Sequence, residues 1–147
     1  MSARRASGGI RLRRAAASGG VLALAAMLAS CSVDTLIWGP EGAGVIRAAE
    51  ELVAAVADGG AEDLVCSGRE LDLGEPQQWD GLSAEEPERF VEGYWEEQAE
   101  LDPAWSINLS LPADRAVSGE TFPGDVFFRE IDGELCLVDI AWSTVVG

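Results

Sequence analysis

Chemistry in this chain would depend on three cysteines, Cys31, Cys66 and Cys136, and on 26 acidic side chains. The sequence of 147 residues contains no histidine and no lysine. A Ser-His-Asp triad, a histidine-ligated metal and a lysine Schiff base are therefore impossible. Thiol chemistry remains, as does acid or base catalysis by a carboxyl group whose pKa is shifted by its surroundings.

Cys31 closes a leader with the features of an export signal. Five arginines lie within the first 14 residues, and an uncharged stretch that ends in small residues follows them. Leu28-Ala29-Ser30-Cys31 resembles the lipobox of bacterial prolipoproteins at all four positions: aliphatic, small, small, cysteine. The resemblance implies diacylglycerol on the Cys31 sulfur and cleavage after Ser30. We therefore predict a signal peptide over residues 1–30 and attachment to the membrane through the lipid on Cys31.

Two other interpretations of this leader stay open. The uncharged run from Ala15 to Val33 could be an uncleaved membrane anchor. It is slightly shorter than the roughly 20 residues needed to span the hydrocarbon, and Gly19 and Gly20 weaken it. The leader could also be an ordinary secretory signal in which Cys31 is incidental. Lipidation has a physical logic here, because two acyl chains can hold a protein that has no basic patch.

The charge of the chain changes sign at Cys31. All 26 acidic residues follow it, together with only five arginines, so residues 31–147 carry a net charge of −21. Phosphate backbones repel such a surface, and we expect no nucleic-acid partner. The anionic lipids of a membrane repel this surface as well, so attachment to the membrane must come from the lipid on Cys31. The arginine-only, Ala- and Gly-rich composition is typical of a high-GC organism and favours display on the extracellular side of the cell membrane.

Cys66 and Cys136 are the two cysteines that remain after the leader. Export would place this even number of thiols in an oxidising compartment, so we predict that they form a disulfide. The alternative is a reactive thiol, which would need a nearby cation or a helix N-terminus. Only five arginines are available as cations, which favours the disulfide.

Aromatic side chains could line a pocket for an apolar or sugar-like ligand. Tyr94, Trp95 and Trp105 are candidates to line it, although such residues more often fill the core of a small domain. Asp139 is the carboxylate that could act as an acid or base beside Tyr94. No acidic cluster matches the calcium-loop pattern, so we expect no metal and no cofactor.

Glycines and apolar spacing divide the first part of the exported chain. Residues 31–44 are predicted to be a lipidated flexible tether, since Gly39-Pro40 and two further glycines oppose regular structure. Apolar side chains at helical spacing then predict a helix over about 41–58. Trp79 is predicted to be a buried anchor in an irregular segment.

The second part of the chain is predicted to contain one more helix and then strands. Capping-box spacing between Ser83 and Glu86 predicts a helix over about 85–98. The predicted strands are 104–111, a weaker 116–122, and 125–131 with 134–145 around the turn Asp132-Gly133. Strict alternation along the last strand puts Asp139 on one face. It puts four other residues on the opposite face: Cys136, Val138, Ile140 and Trp142.

Helices followed by strands indicate the α+β class, with N-terminal helices on a three- or four-stranded antiparallel sheet in a single domain over residues 45–147. The element order and the strand-turn-strand from Phe127 to Trp142 resemble the cystatin-like group, which includes nuclear-transport-factor-like domains. The resemblance implies a curved sheet around a long helix, with Cys66 on a helix bridged to Cys136. We expect a non-catalytic ligand- or partner-binding module of the cell envelope. The alternative is a cavity enzyme of isomerase or hydrolase type that uses a buried carboxylate.

Overall fold

The structure is a computed structural model that describes residues 33–147, and it confirms the α+β class. Helix α1 packs against one face of a four-stranded antiparallel sheet whose strands lie in chain order. The strands are β1 (Ser83–Arg89), β2 (Trp105–Ser110), β3 (Thr121–Ile131) and β4 (Glu134–Thr144). The helices are α1 (Val33–Ala57) and the single turns α2 (Pro76–Trp79) and α3 (Glu96–Ala99).

Helix α1 begins at Val33, so the prediction of a flexible tether up to Gly44 was wrong for residues 33–44. Gly39 interrupts the helix with a φ of 72°, and Pro40 starts the longer part that follows. Proline suits the first position of a helix because its missing N–H has no partner there. The Gly39-Pro40 pair therefore kinks the helix without ending it. Residues 31 and 32, the rest of that predicted tether, lie outside the described residues.

The main core lies between α1 and the inner face of the sheet, by which we mean the face that α1 covers. Ala43 and six larger or more central apolar residues of α1 are buried, and the six are Val45, Ile46, Ala49, Leu52, Val53 and Val56. These six pack in one cluster with inner-face residues such as Ile107, Val126 and Leu137. Trp79 is fully buried in the same cluster, and its indole Nε1 donates to the carbonyl of Leu73 at 2.6 Å. The prediction of Trp79 as a buried anchor is confirmed.

The helix predicted over 85–98 was wrong, because residues 83–89 form β1. Pairing with β2 decides this, since Ser83 lies opposite Ser110 and Arg89 opposite Trp105. Proline is tolerated in an edge strand, where its missing N–H need not join the ladder. Pro87 is buried in this edge strand. Of the predicted helix, a 3-10 turn over Glu92–Tyr94 and most of the short turn α3 remain.

The hairpin between β3 and β4 follows the prediction at its turn but not along its whole length. Asp132 and Gly133 both have positive φ, 53° and 81°, as a type I′ turn requires. The weaker strand predicted over 116–122 was wrong for residues 116–120, which follow a 3-10 turn and are not extended in the sheet, since β3 starts only at Thr121.

A β-bulge at Val138 overturns the predicted faces of β4. Phe127 lies opposite Asp139 and Phe128 opposite Leu137, so Val138 is an extra residue in β4. The alternation of side chains reverses there. Ile140 joins the main core, whereas Asp139 lies opposite Phe127, on the same face as Cys136 and Val138.

A second, smaller core lies on the outer face of the sheet. Its buried members are Cys66, Phe127 and Val138, covered in part by the segment that follows β1. Cys66 and Cys136 form the predicted disulfide, with their Cα atoms 4.8 Å apart. Cys66 lies just after a 3-10 turn, and its N–H donates to the carbonyl of Leu137 at 2.9 Å. The resemblance to the cystatin-like group stays a prediction. Within residues 33–147, no helix has the length and apolar character needed to cross a bilayer.

Candidate functional site

An open groove of about 510 Å³ lies on the outer face of the sheet. The chain from Gly93 to Gln98 forms one side of this outer-face groove, and residues 140–142 of β4 form the other. Ala141 packs against the smaller core and lines the groove. The groove has the concave shape that small ligands and peptide segments use, but it is open to solvent along its length.

Aromatic packing holds the first side of the groove in place. The ring of Trp95 meets that of Phe127 edge-on, with centroids 4.9 Å apart and planes at 75°. Phe90 makes a similar contact with Phe127 at 6.1 Å. A 3-10 turn over Glu92–Tyr94 precedes Trp95, whose N–H donates to the carbonyl of Glu92 at 3.0 Å. Trp95 thus lines the groove and, through its contact with Phe127, packs the segment from Gly93 to Gln98 against the sheet.

Gln98 joins the groove wall to β4 by a side-chain hydrogen bond. Its amide Nε2 donates to Oδ2 of Asp139 at 3.1 Å. Gln98 is only 8% exposed, one of two buried polar or charged residues among those described, so this amide needs a partner inside the protein. The sequence contained no signal for Gln98, because the pairing depends on the bulge that turns Asp139 to this face.

Asp125 adds a second carboxylate beside the groove. It lies on β3 opposite Ala141 of β4, and its side chain is half-buried. Burial, and then the nearby charge of Glu88, raise the pKa of Asp125 above its ordinary value. Asp125 was not among the predicted site residues. Its two-residue spacing from Phe127 would have placed it on the outer face, since alternate residues of a strand share a face.

The structure brings together only part of the predicted pocket. Tyr94 and Trp95 both line the outer-face groove, and Asp139 is tied to that groove through Gln98. Tyr94 is 80% exposed, so it stands at the rim. Trp105 belongs to the main core on the inner face and takes no part in the groove, so its place in the predicted pocket was wrong.

Trp105 has a structural role on the inner face. It is 7% exposed, and the guanidinium carbon of Arg89 lies 3.9 Å from its ring centroid. Arg89 also pairs with Glu41 of α1 at 2.7 Å. This stack closes the edge of the main core between β1 and α1.

The electrostatics of the groove are acidic. Glu96 and Glu97 line the groove. Asp139 bonds to the lining residue Gln98, and Asp125 lies opposite the lining residue Ala141. Four arginines have partners of their own. Arg69 and Arg129 donate to the backbone carbonyls of Val138 and Leu101. Arg89 pairs with Glu41, and Arg115 with Glu120. No group of three or more acidic or cysteine side chains is arranged to hold a metal ion in the part of the chain that the structure describes. The groove therefore suits a cationic partner that also has apolar surface.

Comparison with protein-family models, with curated proteins and with solved structures found no match for this chain.

Proposed function

We propose that this chain is an exported lipoprotein whose single domain is held at the membrane surface by lipid on Cys31. In this proposal the domain faces the extracellular side and does not catalyse a reaction. Its outer-face groove binds a cationic segment of a partner or a cationic ligand. The lipobox residues Leu28-Ala29-Ser30-Cys31 are the sequence basis for the anchor.

The Cys66–Cys136 disulfide is the observation that carries the proposed location. Disulfides persist in oxidising compartments outside the cytosol and are rare within it. Cys66 is 2% exposed and packs with Phe127 and Val138, so the bond is part of a core. A structural disulfide of this kind supports export independently of the leader.

The charge and shape of the groove support the binding role. Residues 31–147 carry a net charge of −21. Two carboxylates line the groove, and two more adjoin residues that line it. Tyr94 and Trp95 offer flat apolar surface beside them. Cationic groups bind well where carboxylates and aromatic faces lie side by side.

The alternative, a cavity enzyme, is favoured by one observation. The raised pKa of Asp125 beside the groove is a property of carboxyl groups that act as acids or bases. The exposure of Tyr94 argues against this alternative, since water is not excluded from the rim. Asp139 also has a partner in Gln98. We therefore favour the binding module.

Intact mass of the protein from its native membrane fraction tests the anchor and the location. We expect a chain that begins at Cys31, carries added acyl mass and gains about two daltons on reduction, as one opened disulfide requires. The Cys31→Ser variant should carry no acyl mass. An unprocessed or unlipidated wild-type chain would contradict the proposal.

A charge-matched pair of variants tests the groove. Glu96→Gln/Glu97→Gln and Glu50→Gln/Glu51→Gln each remove two exposed carboxylates, the first pair at the groove and the second on α1. The probe is a lysine-rich peptide that also contains leucine. We expect the groove variant to weaken binding of the peptide more than the α1 variant does. Equal weakening would mean that only the overall charge attracts the peptide, and the groove would be rejected as the site.

A further inference from the structure

The first part of α1 exposes four apolar side chains within six residues. Val33 is 68% exposed, Leu36 77% and Ile37 63%. Their spacing of three and four residues puts them on one face of the turn. Trp38 follows at 38% exposure. Scattered exposed apolar residues are ordinary, but contiguous ones mark a surface that binds a protein or a membrane. We call Val33, Leu36, Ile37 and Trp38 the anchor-proximal patch.

The patch is held in a fixed relation to the domain. A Cβ on Gly42 would lie 2.7 Å from the Cβ of Trp38 and 3.4 Å from Cγ of Pro87. Only glycine lets Trp38 lie this close to the longer part of α1 and to β1. Gly39 sets the angle of the turn with its φ of 72°. The patch therefore does not lie on a loose tether.

The position of the patch in the chain indicates what covers it. Val33 follows Cys31 by two residues, and two residues span at most about 7 Å even when fully extended. One further helical turn adds about 5 Å. Acyl chains on Cys31 would lie in the hydrocarbon, so the patch would be held at the headgroup region of the same membrane.

The chemistry of the patch fits that region. Asp34 is the only charged residue between Val33 and Trp38, in a domain whose other surfaces are strongly acidic. Anionic headgroups repel those surfaces. Tryptophan with neighbouring aliphatic side chains is the composition found where proteins meet the membrane interface.

We propose that the anchor-proximal patch inserts into the headgroup region of the membrane and fixes the orientation of the domain on it. This inference rests on the proposed lipidation of Cys31 and goes beyond it. Two acyl chains alone hold a protein at a membrane but leave it free to rotate about its attachment. Insertion of the first turn of α1 is a second contact, and it gives the groove a defined direction relative to the surface.

Quenching of tryptophan emission by brominated lipid tests the proposal. The lipidated protein is purified from its native membrane and reconstituted into phosphatidylcholine vesicles with brominated acyl chains. Trp38 and Trp142 are each 38% exposed and form a matched pair, whereas Trp79 and Trp105 are buried in the main core. We expect Trp38→Phe to remove most of the quenching and Trp142→Phe to leave it almost unchanged. Leu36→Ser/Ile37→Ser should reduce the quenching of Trp38 while the acyl mass and the disulfide stay intact.

The outcomes separate this inference from the proposed function. A lipidated chain whose quenching is the same with and without Trp38 overturns the insertion and leaves the anchor standing. A chain without acyl mass contradicts the anchor itself, and the insertion with it. A third outcome is that brominated lipid does not quench Trp38 and that the detergent-solubilised protein is a dimer. If Leu36→Ser/Ile37→Ser then makes the protein monomeric, a second copy covers the patch and the insertion is wrong.

Discussion

The side chain of Gln98 donates a hydrogen bond to Asp139 across 41 residues of sequence, with 3.1 Å between Nε2 and Oδ2. This bond ties the segment between β1 and β2 to the last strand and so holds one wall of the outer-face groove. It exists because the bulge at Val138 turns Asp139 to the outer face. Two of the features that build the candidate site, a bulge and a buried amide, are thus parts of one arrangement.

Gln98→Ala tests how far the groove wall depends on this bond. The substitution leaves Asp139 without its amide donor and removes a buried side chain. We expect the free energy of unfolding to fall by about 1–3 kcal/mol, as for other buried hydrogen bonds that lose one partner. Urea denaturation measures the change. Glu97→Ala, an exposed neighbour on α3, is the control and should change stability by less than about 0.5 kcal/mol. Equal effects of the two would show that the bond contributes nothing specific.

The disulfide should account for a large part of the stability of the domain. Cys66 and Cys136 are 70 residues apart in sequence, and the chain-entropy argument then gives about 4 kcal/mol. Cys66→Ala/Cys136→Ala should lower the free energy of unfolding by about 2–4 kcal/mol in the absence of a reductant. Adding a reductant should destabilise the wild type by a similar amount and leave the double variant unaffected. A wild type whose urea midpoint does not respond to reduction would disprove this role.

Asp125 should make stability depend on pH in a defined direction. Burial and Glu88 raise its pKa above 3.8 in the folded state. The folded chain therefore keeps the Asp125 proton where the unfolded chain has lost it. The bound proton of Asp125 therefore stabilises the fold at pH values below the ordinary pKa of an aspartate. This stabilisation is lost as the pH rises through the folded-state pKa of Asp125.

Asp125→Asn removes this titration. We expect the variant to be more stable than the wild type at pH values above the folded-state pKa of Asp125. Between the ordinary pKa and the folded-state pKa, its stability should fall less with rising pH than that of the wild type. Urea denaturation over a pH series measures both. Asp114→Asn removes the same formal charge from an exposed site and serves as the control. If the two variants have the same pH profile, the raised pKa of Asp125 does not contribute to stability.

Two aromatic residues should differ sharply in their contribution to folding. Trp79 is fully buried, touches Trp142 edge-on at 6.4 Å and donates to Leu73. Trp79→Ala should cost about 3–5 kcal/mol, the range for large core aromatics. Tyr94, which is 80% exposed, should change stability by less than about 0.5 kcal/mol when replaced by alanine. Thermal unfolding of both variants measures this contrast. A large loss of stability in Tyr94→Ala would mean that the rim of the groove is part of the core.

Local signals in the sequence were sufficient where neighbouring residues decide the conformation. The alternation of residues 104–111 predicted β2, and the Asp132-Gly133 pair predicted the hairpin, because positive φ at both positions suits few other residue pairs. The α+β class followed from the order of these patterns. The Cys66–Cys136 disulfide followed from the count of cysteines after the leader together with the expected compartment.

Local patterns failed for elements whose conformation depends on contacts with distant parts of the chain. Residues 83–89 contain good helix-forming glutamates and a capping signal, yet pairing with β2 and the burial of Pro87 make them a strand. The first turn of α1, which precedes the kink at Gly39-Pro40, is helical although local signals favoured a tether.

The bulge at Val138 is the clearest case for the candidate site. Local patterns placed Cys136, Asp139 and Ile140 correctly on one strand, but a strict period of two put Asp139 on the wrong face. One extra residue in a ladder has no signature in the alternation of its own strand, because the bulge is defined by what lies opposite it on β3. Asp139 meets Gln98, and the groove acquires its wall, only once the two strands are paired.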